Sequence, residues 1–457
     1  MGKYIGDRRF YSRVLKVMIP IVIQQGITNF VGLLDNIMVG QVGTEQMSGV
    51  AITNQLLFIF QLCIFGCLSG AGIFCAQYFG KGDQEKVRSV FRYKVITTGI
   101  ITILAMGIFW FFREPLIRLF LTDTGSGGDL EATLGYGKTY LEVMMVGLIP
   151  FAIVQMYSST MRETGETAIP MKASTLAVLV NMCFNYILIF GKFGAPKLGV
   201  AGAAIATVIS RFAELAFILI YAKVRRDKFP YLTGVYRTMR VPLELAKEVT
   251  IKGMPLMVNE LMWSLGTTLI VQCYSTRGLD AVAAYNISST VNNFFSMAVL
   301  AMGTAISIMV GQELGAGEFE QAVDTNRKMT AFGAVLCLGA AVLLAISAPF
   351  FPRIYNTTEE IRTLARNLLW LDATFLTARG LYNSCYFTLR SGGKTMLTFL
   401  FDSVSLWVLN LSTAFILAHF TGIPLIGMYA VVQIVDALKT GVGLYLVKKG
   451  IWINNLT

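Results

Sequence analysis

The sequence predicts an all-α membrane protein with twelve transmembrane helices. Of its 457 residues, 55% are hydrophobic and only 14% are charged, a composition that water-soluble domains do not have. A helix needs about 20 mainly apolar residues to cross a bilayer, and a search with windows of that length finds twelve segments. Their approximate limits are residues 14–42, 48–79, 93–121, 137–163, 169–191, 197–222, 250–276, 282–314, 326–352, 364–390, 396–420 and 423–447. They fill nearly the whole chain, so we expect no sizeable soluble domain.

The basic residues are distributed unevenly between the two sides of this arrangement. They cluster before the first segment, after the second, in the stretch 223–252 and in the tail after the last segment. Loops rich in Lys and Arg face the cytoplasm in membrane proteins. We therefore expect a multi-pass protein of the plasma membrane with both termini cytoplasmic. The formal net charge of +11 then reflects topology, and no nucleic-acid partner is expected.

The two halves of the chain repeat one another. Four motifs of the first half recur in the same order in the second: KVMIPIVIQQ (16–25) and IKGMPLMVNE (251–260), the glycine that follows the first and seventh segments (Gly43 and Gly278), AQYFGKG (76–82) and GQELGAG (311–317), and MRETGET (161–167) and LRSGGKT (389–395). Such parallel repeats surround an axis along the membrane normal, with the substrate path at their interface. We expect two pseudo-symmetric six-helix lobes, residues 1–222 and 250–457, around a central cavity and joined by a cytoplasmic linker, 223–249. The duplication also predicts a functional monomer.

Asp35 lies within the first apolar segment, where a carboxylate costs several kcal/mol and marks a functional position. At about 1.5 Å per helical residue, Asp35, Asn185 and Thr207 lie about 10–15 Å inside the outer boundary. Asn181 and Asn185 share a helix face. One carboxylate, two amides and a hydroxyl suit a hard cation such as Na⁺, or a site that takes up a proton. The alternatives are that Asp35 is solvated at the interface, that the amides only join helices, and that Thr207 only packs.

A second polar set is predicted in the other half. Glu260, Asp402 and Arg379 lie about 12–16 Å from the inner boundary of their segments. Buried acids and a buried Arg at similar depth should pair, so we expect Arg379 to interact with Glu260 or Asp402. A purely structural ion-pair cluster is the alternative.

Other polar and aromatic residues of the spans have simpler interpretations. The pairs Arg211/Glu214 and Asp436/Lys439 have i, i+3 spacing and are interpreted as structural. Trp263, one turn from Glu260, is the aromatic side chain that we select as a cavity residue, because aromatic rings attract organic cations.

The motifs of several enzyme classes are absent from the sequence. No P-loop, GxSxG or HExxH pattern occurs, and the only histidine is His419. The seven cysteines all lie in apolar segments and are interpreted as small buried side chains. We therefore expect no enzyme, no cofactor and no metal centre, beyond a Na⁺ ion at Asp35.

At this point the motifs resemble those of a known family. DNIMVGQVGTEQMSGVAI (35–52), the G-x-G step that closes the second and eighth segments, and R-x-x-G-x-T after the fourth and tenth resemble the multidrug and toxic compound extrusion (MATE) transporters. The resemblance covers about residues 14–447. It implies an antiporter, coupled to Na⁺ or H⁺, that exports small organic compounds by alternating access of two lobes.

The resemblance also assigns roles to residues of the first half. Asp35 matches the membrane-embedded Asp of the first MATE helix. Asn181 and Asn185 match the N-x-x-x-D/N pair of the fifth helix, and Thr207 matches the Thr of the sixth. Asn185 stands where archaeal-type members often have Asp, so the ion preference is open.

In the second half, Glu260 matches the seventh-helix Glu of the NorM-type branch. Arg379 departs from that branch, because it stands where an Asp is expected. Either its partners neutralise Arg379, or the substrate carries negative character. The rival function is a flippase of the same superfamily for a lipid-linked sugar or another anionic amphiphile.

Overall fold

The computed structural model describes residues 3–121 and 129–457, and the side chains of all of these except Val31, Leu33, Asn36 and Ile37. Twelve long helices account for most of these residues, and no strand occurs among them. They are α1 (Arg8–Gly40), α2 (Thr44–Lys81), α3 (Gln84–Arg118), α4 (Leu130–Glu163), α5 (Ala168–Phe190), α6 (Gly199–Val224), α7 (Leu243–Ser275), α8 (Leu279–Gly315), α9 (Phe319–Ser347), α10 (Glu359–Ser391), α11 (Thr395–Phe420) and α12 (Leu425–Lys448). The predicted all-α class is confirmed.

The helices have the length and surface of membrane spans. Within the described residues, ten of them, α2 to α9, α11 and α12, are long and apolar enough to cross a bilayer. Large apolar side chains are exposed along them, such as Ile103 (72%) and Phe111 (78%) on α3. Apolar side chains on the outside of a helix suit a lipid environment, and the helix satisfies its own backbone hydrogen bonds there.

By contact density the chain forms two compact units. The N-unit comprises Ile23–Cys75 and Gln84–Thr250, and the C-unit comprises the chain up to Val22 with Ala76–Asp83 and Ile251–Thr457. In the C-unit, apolar side chains from the start of α1, such as Val14 and Met18, pack with Ile306 and Met309 of α8 and Leu389 of α10. The lobe limits given above at residues 222 and 250 stay a prediction.

The repeated glycine motifs make a reciprocal contact inside the C-unit. A Cβ atom on Gly80 would overlap the backbone of Gln312, and a Cβ atom on Gly315 would overlap the backbone of Gln77. Two copies of one surface related by a two-fold axis make such a contact. The internal duplication is therefore present in the packing as well as in the letters of the sequence.

The stretch between α6 and α7 is folded onto the N-unit. Two short 3₁₀ turns, Arg226–Lys228 and Pro230–Leu232, occupy it. Arg88 of α3 donates to the carbonyl of Tyr231 at 3.2 Å, and Arg92 donates to that of Val235 at 2.8 Å. Tyr231 and Val235 are fully buried. Side-chain donors that satisfy loop carbonyls hold this segment in place.

Candidate functional site

A chain of hydrogen bonds joins the four polar residues predicted in the first half. The amide of Asn185 on α5 donates to Asp35 Oδ1 on α1 at 2.5 Å and to Asn181 Oδ1 at 3.0 Å. The amide of Asn181 in turn donates to Thr207 Oγ1 on α6 at 3.2 Å. Asn181 and Asn185 are buried. The i, i+4 spacing places the two amides on one face of α5. Asp35 of α1 and Thr207 of α6 lie at a similar depth and can therefore contact them.

One oxygen of this cluster has no partner. Asn185 Oδ1 is buried and accepts no hydrogen bond from the described residues. A buried acceptor without a donor costs about 1–3 kcal/mol, and a bound cation or an ordered water would satisfy it. Asp35 supplies a negative charge beside it, and carboxylate and amide oxygens are ligands that hard cations take. The cluster has the chemistry of a site for one monovalent cation, with a single carboxylate that can also accept a proton.

Tyr140 and Asn54 adjoin the cluster, and the sequence analysis singled out neither of them. Tyr140 of α4 is buried, and its hydroxyl interacts with Asn54 and Thr207. A small cavity of about 30 Å³ lies next to Thr207 and reaches Arg211 on the following turn of α6. The predicted fourth segment begins at residue 137, which places Tyr140 only about 5 Å deep, whereas α4 begins at Leu130 and places it about 15 Å deep, at the level of Thr207.

Asp402 is the centre of a second hydrogen-bonded group, in the C-unit. Asn259 donates to its Oδ2 and Tyr382 to its Oδ1, both at 2.8 Å. Asp402 lies in a π-helical stretch of α11, Leu400–Val404, which is followed by a second one, Leu406–Leu411. Such widened turns occur frequently at functional sites.

The prediction that Arg379 pairs with Glu260 or Asp402 is wrong. Arg379 donates to Asp372 Oδ1 at 3.1 Å and not to Glu260 or Asp402. Asp372 is fully buried and also accepts hydrogen bonds from Tyr429 at 2.6 Å and Ser288 at 3.0 Å. The two residues are separated by seven positions on α10, which places them on one helix face two turns apart. Depth alone could not distinguish this partner from an acid on another helix.

The two remaining predicted cavity residues lie on α7. Glu260 is half-buried, and the charged groups that act on it are Arg390 and Asp402. Trp263 is 43% exposed. Glu260 is therefore within electrostatic reach of Asp402, whereas Arg379 pairs with a different acid, Asp372.

The fold and these polar groups define a class of protein. A chain of long apolar helices with duplicated halves and single buried carboxylates is the architecture of a membrane transporter. The family model described as MatE matches residues 20–187 and 255–416, once in each half and over more than half of the chain. The chain belongs to the MatE family of transporters, whose members carry small organic compounds across membranes; it is a transporter and not an enzyme.

Individual relatives cover nearly the whole chain. The probable multidrug resistance protein NorM of Thermotoga maritima is 27% identical over 427 residues, which span 92% of this chain and 88% of that protein. The multidrug resistance protein MdtK of Proteus mirabilis is 25% identical over 423 residues, with 92% and 89% covered. Among solved structures, the Vibrio cholerae MATE transporter VcmN superposes with a TM-score of 0.87 over 98% of both chains at 19% identity. This last similarity concerns the fold.

Proposed function

We propose that this protein is a Na⁺- or H⁺-coupled antiporter that exports organic, cationic or amphipathic compounds. In this proposal it works as a monomer in the plasma membrane, with both termini in the cytoplasm. The multidrug resistance proteins among its relatives support the substrate class.

The observation that carries the proposal is the hydrogen-bonded cluster of Asp35, Asn185, Asn181 and Thr207 with the unpartnered oxygen of Asn185. Asp35 is the only acid of the four, so it is the group whose charge a cation or proton neutralises. Asn185 and Asn181 orient it, and Thr207 closes the hydrogen-bonded chain.

Coupling follows if the cation and the substrate favour different states of the transporter. A ligand with equal affinity for two states shifts neither. In this proposal, cation binding at Asp35 changes the side-chain hydrogen bonds that join α1, α5 and α6. Because Asn185 bonds both Asp35 and Asn181, a cation between the carboxylate and Asn185 Oδ1 would reorient an amide that joins two helices.

The second polar set supplies the substrate side of the proposal. Glu260 and Asp402 are acids, Trp263 lies one turn from Glu260 on α7, and acids with an aromatic ring suit organic cations. The rival, a flippase for an anionic amphiphile, would require free basic groups at depth. Arg379 and Arg211, the two arginines predicted to lie deep, are each paired with a carboxylate, Asp372 and Glu214, so neither is free to hold such an anion.

The test is transport by the purified protein in liposomes. Ethidium export is measured under a Na⁺ gradient and, separately, under a pH gradient, with protein-free liposomes as the control. Export driven by one gradient supports the proposal and names the ion. Absence of export under both gradients, together with movement of an anionic lipid reporter, would replace it with the flippase function.

A further inference from the structure

Arg211 interacts with two carboxylates of the N-unit. Its guanidinium donates to Glu214 Oε2 at 3.1 Å. Its charge also acts on Asp35 and on Tyr140, the tyrosine beside Thr207. An i, i+3 ion pair is by itself an ordinary structural feature. The position of this one, next to a cluster with a single carboxylate, gives it a further consequence.

The direction of α6 points Arg211 towards the Asp35 cluster. Side chains of an α-helix lean towards its N-terminus, and Thr207 lies one turn N-terminal to Arg211. The cavity of about 30 Å³ is lined by both residues, which is room for about one water molecule. Arg211 and Thr207 therefore face one shared space.

Two contacts hold Arg211 in its present position. The first is Glu214, which is buried and which also accepts a hydrogen bond from Ser174 at 2.8 Å. The second is the ring of Phe151, whose centroid lies 5.2 Å from the guanidinium carbon. Ser174 in turn accepts from Gln24 at 2.8 Å. Glu214 is thus fixed by its own partners and forms a rigid anchor for the arginine.

We propose that Arg211 is a tethered cation that competes with the coupling ion for Asp35, and that Glu214 is its resting partner. The inference rests on the proposed function, since it assumes that Asp35 is the coupling carboxylate. While Glu214 holds the guanidinium, Asp35 is available to the incoming ion. When the ion leaves, Arg211 can move towards Thr207 and partly neutralise the carboxylate.

A fixed positive charge near Asp35 weakens the binding of any second cation there. One charge acting through a partly polar interior changes a cation affinity by about tenfold. Arg211→Gln should therefore lower the half-saturating concentration of the coupling ion by about tenfold. Glu214→Gln should raise it by a similar factor, because the arginine is released towards Asp35.

The experiment measures melting temperature against Na⁺ concentration for the purified full-length chain, with choline replacing Na⁺ at constant ionic strength. A ligand that binds only the folded protein raises its melting temperature, which gives the half-saturating concentration. A pH series without Na⁺ is the second arm. The titratable or charged groups that bear on Arg211 are Asp35, Glu214 and Tyr140, with Arg162 acting on Glu214.

Four results support the proposal together. Arg211→Gln lowers the half-saturating concentration about tenfold, Arg211→Lys restores the wild-type value, Glu214→Gln raises it, and the double variant behaves like Arg211→Gln alone. If Glu214→Gln does not fold, Phe151→Leu removes the ring under the guanidinium and should raise the value more modestly. A purely structural pair would lower stability without shifting the cation dependence.

Asp35→Asn separates the two proposals. If it abolishes the cation response while Arg211→Gln stays within twofold of wild type, the coupling role of Asp35 survives and the tethered-cation inference is overturned. A cation response that survives in Asp35→Asn, or a wild type that responds to neither ion, overturns the proposed function and this inference with it.

Discussion

Asn185→Asp places a second carboxylate against Asp35 with almost no change in side-chain shape. In the structure the Asn185 amide donates to Asp35 at 2.5 Å and to Asn181 at 3.0 Å, and the variant loses both donors. Like charges about 4 Å apart repel by about 4 kcal/mol at an effective dielectric of about 20. The pair should therefore bind a cation or a proton up to about a thousandfold more tightly than Asp35 alone.

The assay is the melting temperature of the purified variant with and without Na⁺, at mildly alkaline and mildly acidic pH. We expect a lower melting temperature than wild type in choline at alkaline pH. Added Na⁺ should restore it, because the cation binds the folded protein. Acidification should restore it too, because the folded carboxylate pair then holds a proton more tightly than the unfolded chain does.

Asn185→Ala is the matched control for this prediction. It loses the same two donors without gaining a charge, so it should lose stability and gain no response to Na⁺ or pH. A melting temperature of Asn185→Asp that is indifferent to both would show that the side chain at this position does not face Asp35, and the arrangement of the cluster would be refuted.

Three further predictions concern the framework. Asp372→Ala leaves Arg379 without its carboxylate and should lower the free energy of unfolding by on the order of 3–5 kcal/mol, which is measured as a large loss of melting temperature. The double variant Asp372→Ala with Arg379→Met should largely recover the melting temperature, and no recovery would contradict the pairing. Gly80→Val forces α2 away from the backbone of α8 and should lower the free energy of unfolding by at least about 1–3 kcal/mol. Gly107 has open space around it, so Gly107→Val should not have this effect. Equal melting temperatures of the two variants would contradict the reciprocal contact. Arg92→Ala leaves loop carbonyls unpaired and should speed trypsin cleavage within residues 225–240 about tenfold, measured on gels; an unchanged rate would show that the segment is held by its buried side chains alone.

The helical class and the Asp35 cluster could be predicted because both depend on one-dimensional quantities. Segment length and apolar content give the spans, and residue counts from a boundary give depth. Asp35, Asn185 and Thr207 lie at one depth on three helices, and the i, i+4 spacing of the two asparagines fixes their common face. These data were enough to expect the contact.

The pairing of Arg379 could not be predicted from depth, because depth does not say which way a helix face points. Asp372 was overlooked although it lies two turns away on the same helix face, where the helical period alone predicts a contact. The π-helical turns around Asp402 were also beyond reach, since they depend on how α11 packs and not on a local sequence signal. The contact of Tyr140 with the cluster was not predicted for a third reason, because a tyrosine in an apolar span is usually an ordinary packing residue.

The most direct test of the central claim is ethidium export from liposomes by wild type and Asp35→Asn, under Na⁺ and pH gradients imposed one at a time. We predict that wild-type export follows one gradient and that Asp35→Asn loses the dependence on that gradient while it still folds and melts cooperatively. Export by Asp35→Asn that keeps the wild-type dependence would contradict the assignment of Asp35 as the coupling carboxylate.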